Sequence, residues 1–143
     1  MNNKLILILL GAALVGFGAW AIINKDGSQE EMQSQEIIEG DMVVEMSDAG
    51  FNPEEITISR GTTVTFNNVG TSQHWPASNI HPTHRVYPGS DIEKCGTPEE
   101  TNIFDACKPL APGTSWSFTF DEVGRWVYHD HLRSGLGGVI TVE

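Results

Sequence analysis

Basic residues are scarce in this chain: 8 Lys and Arg stand against 19 Asp and Glu, a formal net charge of −11 over 143 residues. A surface with so few cations does not complement a phosphate backbone, which excludes nucleic acid as a partner. Histidine is absent from everything except two short segments, and cysteine is limited to Cys95 and Cys107. No segment beyond residue 41 carries an amphipathic helical stripe, so the main part of the chain is not an α-helical domain. Long apolar runs are also missing, with one exception at the N-terminus.

That exception is "LILILLGAALVGFGAWAII" (residues 5–23), 19 apolar residues behind Lys4, long enough to cross a bilayer. Ala19 and Ala21 imitate a signal-peptidase site, whereas Trp20 and the Ile pair after it fit a membrane anchor better. Residues 1–23 are therefore expected to be an anchor helix or, if cleaved, a signal segment. Beyond Lys25 the flank turns acidic, so the positive-inside rule places the remainder outside the cytoplasm, in the periplasm or at the cell surface, or secreted after cleavage. Residues 24–41 are polar and acidic and are expected to form a flexible linker. Disulfides persist in that compartment, so Cys95 and Cys107 are expected to pair and close an insert at 88–112. A thiolate ligand is the alternative role for either cysteine.

From Met42 on, the chain is a succession of short alternating segments rich in Val, Ile, Thr and aromatics: "MVVEMS", "EITISR", "TTVTFNN", "SWSFTF", "RWVYHDH" and "GVITVE". Turn signals separate them at Asn52-Pro53, Arg60-Gly61, Pro112-Gly113, Gly124 and the glycines at 135, 137 and 138. About six or seven strands in roughly 100 residues predict an all-β domain, a Greek-key sandwich or small barrel over residues 42–143. The expected inward set is Val43, Phe51, Ile56, Ile58, Val64, Phe66, Trp116, Phe118, Phe120, Trp126, Tyr128, Ile140 and Val142. Between Asn68 and Ser115 the strand signal lapses, and a connection of that length is usually functional or disordered. Pro76, Pro82 and Pro88 argue for order.

All five histidines fall in this loop (His74, His81, His84) or at the end of a later strand (His129, His131). Residues two apart on a strand share a face, so His129 and His131 are spaced to chelate a metal, and the loop histidines can meet them at one pole. An imidazole set suits copper first among divalent ions and leaves zinc open. Asp130, Trp75 and Ser78 are the candidate supporting residues around it. The competing structural reading is a hydrogen-bond network of imidazoles with Asp130, Ser78 and Tyr87.

Two stretches, "GFNPEEITISRGTTVTFNNVGTSQHWPAS" and "FDEVGRWVYHDHLRSGLGGVITVE", resemble the cupredoxin family over residues 42–143, the cysteine-closed insert excepted. That resemblance implies a Greek-key β-sandwich holding one copper at its pole, with His74 in the place of the family's first ligand. It also puts Asp130 where the family has its cysteine, Arg133 at the second histidine and Leu136 at the methionine. Without the cysteine there is no blue-copper site. "YHDH" and "QHW" further resemble the "YHSH" and "HWH" segments of multicopper oxidase domains, where paired histidines serve the oxygen-reducing cluster; an oxidase site here requires assembly between subunits. The combined expectation is a membrane-tethered domain binding one copper through imidazoles, for copper binding or transfer. No catalytic residue is assigned. Electron transfer, a metal-free structural domain, a redox or copper-transfer protein partner, and a homo-oligomer all stay open.

Overall fold

The computed structural model describes residues 41–143. The anchor and nearly all of the linker expected at 1–41 lie outside the described residues, among which no helix is long and apolar enough to cross a membrane. Eight strands form the domain: β1 (Met42–Ser47), β2 (Gly50–Asn52), β3 (Glu55–Ile58), β4 (Thr62–Asn68), β5 (Pro76–Ser78), β6 (Ser115–Phe120), β7 (Gly124–Asp130) and β8 (Arg133–Val142). They make two four-stranded sheets, β2-β1-β4-β6 and β3-β8-β7-β5, with parallel pairs β1/β4 and β3/β8 among antiparallel ones.

Strand parity follows from side-chain chemistry. In β4 and β6, Val64, Phe66, Phe118 and Phe120 turn inward, while Thr63 meets Thr119 at 2.9 Å and Thr65 meets Ser117 at 2.8 Å on the outer face. Such cross-strand hydroxyl pairs fix the register of an antiparallel pair. In β1 the expected inward residue Val43 is 49% exposed, and Val44 and Met46 fill the core. The reason is Glu45: with Val43 inside, period two would bury the carboxylate as well, a cost the one-residue alternative avoids. Trp116 and Trp126 pack against the core only partly buried.

The insert is more than an appendage closed by a disulfide. Cys95 and Cys107 are bonded as expected, and the segment between Tyr87 and Leu110 sends Tyr87, Phe104, Ala106 and Leu110 into the main core. Phe104 lies 4.8 Å from Phe120 and 5.9 Å from Tyr128, centroid to centroid, so it joins the two sheets. β5 precedes this insert and pairs with β7, which places the long loop beside the end of β7.

The glycines at 135, 137 and 138, expected in a turn, all lie within β8. A side chain at Gly138 would meet the Glu54 carbonyl and the Tyr128 hydroxyl, and one at Gly137 the Tyr128 carbonyl, so backbone approach is what these two positions require. Gly138→Ala is accordingly expected to lower stability by about 2 kcal/mol or more, an overpacking cost against rigid backbone. In thermal unfolding this reads as a fall of roughly 10 °C.

Candidate metal centre

β7 ends in the pole of the sandwich where the sheet register shifts between His129 and Asp130. The shift ends simple alternation there: Tyr128, His129 and Asp130 are all buried. His131 follows outside the strand, its backbone N–H donating to the Trp75 carbonyl at 2.7 Å. Across from it, the loop leaving β5 turns through Ile80, whose carbonyl accepts from the N–H of Thr83 and of His84. His84 sits at φ 57°, a left-handed conformation uncommon outside glycine, and this bend carries its ring inward.

The result is a convergence of four imidazoles. His81, His84, His129 and His131 each offer a ring nitrogen, and these nitrogens all lie within 4.8 Å of one another. His84 and His129 are buried, His131 is half-buried and His81 is exposed. His84 Nε2 and His131 Nδ1 are 2.9 Å apart, and both nitrogens of His129 are buried without a hydrogen-bond partner.

A residue not singled out in the sequence organises this group. Asp105, 1% exposed, accepts from His84 Nδ1 at 2.5 Å through one oxygen. Its other oxygen accepts from the Trp75 indole N–H at 2.6 Å and the Cys107 backbone N–H at 2.8 Å. Burial works to raise the Asp105 pKa, but the hydrogen bonds from His84, Trp75 and Cys107 prevail and hold it below the usual carboxylate range. An ionised carboxylate only accepts, so the His84 proton sits on Nδ1 and its Nε2 lone pair faces the other imidazoles. The Trp75 ring, fixed by the same carboxylate, covers His131 at 4.4 Å between centroids. The only sequence signal for Asp105 was an acid set between residues of apolar character in "IFDAC", and a polar loop hides such a signal.

His74 is placed elsewhere. Its Nδ1 is 2.8 Å from Asp130 Oδ2, both side chains fully buried, and its unpartnered Nε2 lies against Gly70. Asp130 Oδ1 accepts from the N–H groups of Trp75 and Leu132 at 2.9 and 3.0 Å. The carboxylate at position 130 thus engages His74 in a hydrogen-bonded pair, apart from the four-histidine group. Asp130 supports the centre indirectly, by anchoring the backbone of Trp75. The Ser78 hydroxyl is hydrogen-bonded away from the histidines: it donates to the Asn79 carbonyl and accepts from Tyr87 N–H. Neither cysteine is a free thiol.

The four-histidine group fits a metal ion on its own chemistry. A buried polar atom without a partner costs about 1–3 kcal/mol, and His129 has two; a metal would occupy one. The carboxylate behind His84 is the usual support of a ligating imidazole. The set contains neither thiolate nor carboxylate ligand, which selects for copper, zinc, nickel or iron over magnesium and calcium.

Crowding also keeps protons away. Burial, and then the neighbouring His84, His81 and His131, push the His129 pKa down to about 4 from 6.5, with Asp105 opposing. His131 is lowered by burial and then by His84 and His81. Between those pH values the unfolded chain binds more protons than the fold. The contribution of His129 and His131 to the stability of the metal-free protein is therefore present above pH 6.5 and is lost as the pH falls toward 4. Urea unfolding should show a loss on the order of 2 kcal/mol between pH 6.5 and 5, much reduced in His129→Ala.

No family model matches this chain. Over 96 residues it is 32% identical to plastocyanin of Scenedesmus fuscus, a match covering 65% of this chain and 86% of that protein. Among solved structures, a purple cupredoxin of Nitrosopumilus maritimus superposes with a TM-score of 0.54 at 19% identity, over 71% of this chain and 99% of that one. A Cu(I) amicyanin variant does so with a TM-score of 0.51 at 19% identity, over 71% and 81%. A copper-containing nitrite reductase of Thermus scotoductus matches over 71% of this chain but 22% of its own length, at 22% identity and a TM-score of 0.52. With a plastocyanin relative of this similarity and the same two-sheet sandwich, the chain belongs to the cupredoxin family.

Proposed function

We propose that this domain binds one copper ion through His81, His84, His129 and His131, and serves copper binding and transfer outside the cytoplasm, tethered by residues 1–23. The observation that carries the reading is the convergence of four ring nitrogens within 4.8 Å, two of whose rings are buried and one of which, His129, has no other partner. The copper names of the structural neighbours, a Cu(I) amicyanin and a copper-containing nitrite reductase, favour copper over zinc. Bound copper would supply a cation that neutral imidazoles hold without thiolate; the chain's own residues do the rest. Asp105 keeps His84 Nε2 free of its proton, Trp75 covers one side of His131, and burial holds His129 unprotonated.

The test is metal analysis of the purified protein with Cu(II) EPR. One copper per chain with a weakly coloured, imidazole-type spectrum supports the reading; no stoichiometric metal, or zinc in its place, overturns it. His74 supplies an internal control. His74→Asn keeps an N–H donor for Asp130 Oδ2, so the buried carboxylate stays partnered, and copper content should match the unmodified protein.

Electron transfer is the second reading. The kinship with plastocyanin and the aromatic ring of Trp75 against half-buried His131 favour it. The missing thiolate works against it, since sulfur tunes the copper potential in this family's blue sites. Reversible one-electron voltammetry of the copper-loaded protein would support this reading over transfer.

A further inference from the structure

The four histidines are not held alike. His129 is set in β7 and is 3% exposed. His84 is fixed through Nδ1 by Asp105 and through its backbone by Ile80. His131 has the Trp75 ring against its imidazole, and its backbone N–H donates to the Trp75 carbonyl. His81 has none of these supports: among the described residues nothing hydrogen-bonds its ring, and its ring neighbours are the other three histidines, His131 at 4.8 Å, His129 at 5.4 Å and His84 at 6.3 Å. It is exposed, and so are Ile80, Pro82 and Thr83 beside it, which opens this side of the group to solvent.

Resting on the copper reading, we propose that the site is a rigid three-histidine platform with an exchangeable fourth position, and that an external imidazole takes the place of His81. Ligands whose rotamers are locked bind without further ordering, whereas His81 must be ordered at each binding event and meets water and competing donors directly. Three fixed protein ligands and one open position is the arrangement that lets a metal accept an outside ligand. In transfer, the outside donor is a histidine side chain of the receiving protein. It enters at the His81 side while His84, His129 and His131 still hold the ion, so copper never leaves one protein before the next has a bond to it. No electron moves in this exchange; one imidazole nitrogen replaces another.

Free imidazole is the probe. Cu(II) is first loaded into the unmodified protein, where absence of bound copper would overturn the underlying reading before any variant is made. In His81→Gly, Cu(II) affinity should fall about tenfold to a hundredfold while one ion per chain still binds at saturating copper. Added imidazole should then restore the unmodified EPR spectrum with saturation. In the unmodified protein, millimolar imidazole should speed copper release to a chelator several-fold, in proportion to its concentration. If His81→Gly loses copper as completely as His129→Ala, or if imidazole changes neither spectrum nor release rate, His81 is an integral ligand and the proposal fails even where copper binding itself stands.

Discussion

Replacing His129 with alanine should abolish stoichiometric copper binding while leaving the fold intact. The ring is 3% exposed and lies within β7, and neither nitrogen has a hydrogen-bond partner. Most buried polar side chains are costly to remove because a partner is orphaned; here none is. The cavity left by the ring costs about 2 kcal/mol, and relief of two unsatisfied nitrogens offsets most of it. The metal-free variant should unfold within about 1 kcal/mol of the unmodified protein. The loss in Cu(II) affinity should exceed the ~10- to 100-fold that follows loss of a supporting group. Copper titration followed by EPR measures the affinity, and urea unfolding the stability. Loss of both together would assign His129 a structural role instead.

Asp105 should behave in the opposite way, as a residue needed by both fold and site. Its two oxygens satisfy His84, Trp75 and the Cys107 backbone; it is buried together with His84, while Trp75 and Cys107 are half-buried. Asp105→Ala leaves three N–H donors without an acceptor and should cost about 3 kcal/mol or more, at roughly 1–3 kcal/mol for each buried donor left unsatisfied. Asp105→Asn is more specific. Trp75 and Cys107 both donate to Oδ1, so the amide keeps its oxygen there and turns its NH2 toward His84. His84 Nδ1 must then accept, and its proton moves to Nε2, the nitrogen that faces the other imidazoles. Copper affinity should drop about 10- to 100-fold with a smaller stability loss than the alanine variant. NMR of the His84 ring in the metal-free variant would report the tautomer. Unchanged affinity in Asp105→Asn would remove the carboxylate from the description of the site.

What could be read from the sequence tracks how local the deciding interaction is. Strands β4 and β6 are legible because "TTVTFNN" and "SWSFTF" alternate without ambiguity. "MVVEMS" supports either parity until the cost of burying Glu45 is weighed. β5 was not legible: "PAS" is three residues long, and only its pairing with β7 makes it a strand. Convergence of the two histidine segments was readable from their confinement, since the loop and the strand end meet at one pole. The division among them was not. That His74 pairs with Asp130 while the other four histidines gather depends on a carboxylate 56 residues away. Asp105 was hidden for the same reason, because its side-chain partners His84 and Trp75 lie 21 and 30 residues away.

The disulfide bears on the same centre. Cys107 donates its backbone N–H to Asp105, so the bond to Cys95 holds one end of the segment that carries the carboxylate. Its ring, with a sequence separation of 12, contributes about 3 kcal/mol on the loop-entropy model. The insert therefore both completes the core through Phe104 and delivers Asp105 to His84.

Cu(II) EPR with nitrogen-coupling analysis, on the unmodified protein beside His74→Asn and His129→Ala, tests the four-histidine centre most directly. The expected result is one copper per chain with couplings from several imidazoles and no strong blue absorption, unchanged in His74→Asn and absent in His129→Ala. An intense blue, thiolate-type spectrum, or copper that follows His74 and ignores His129, would contradict it.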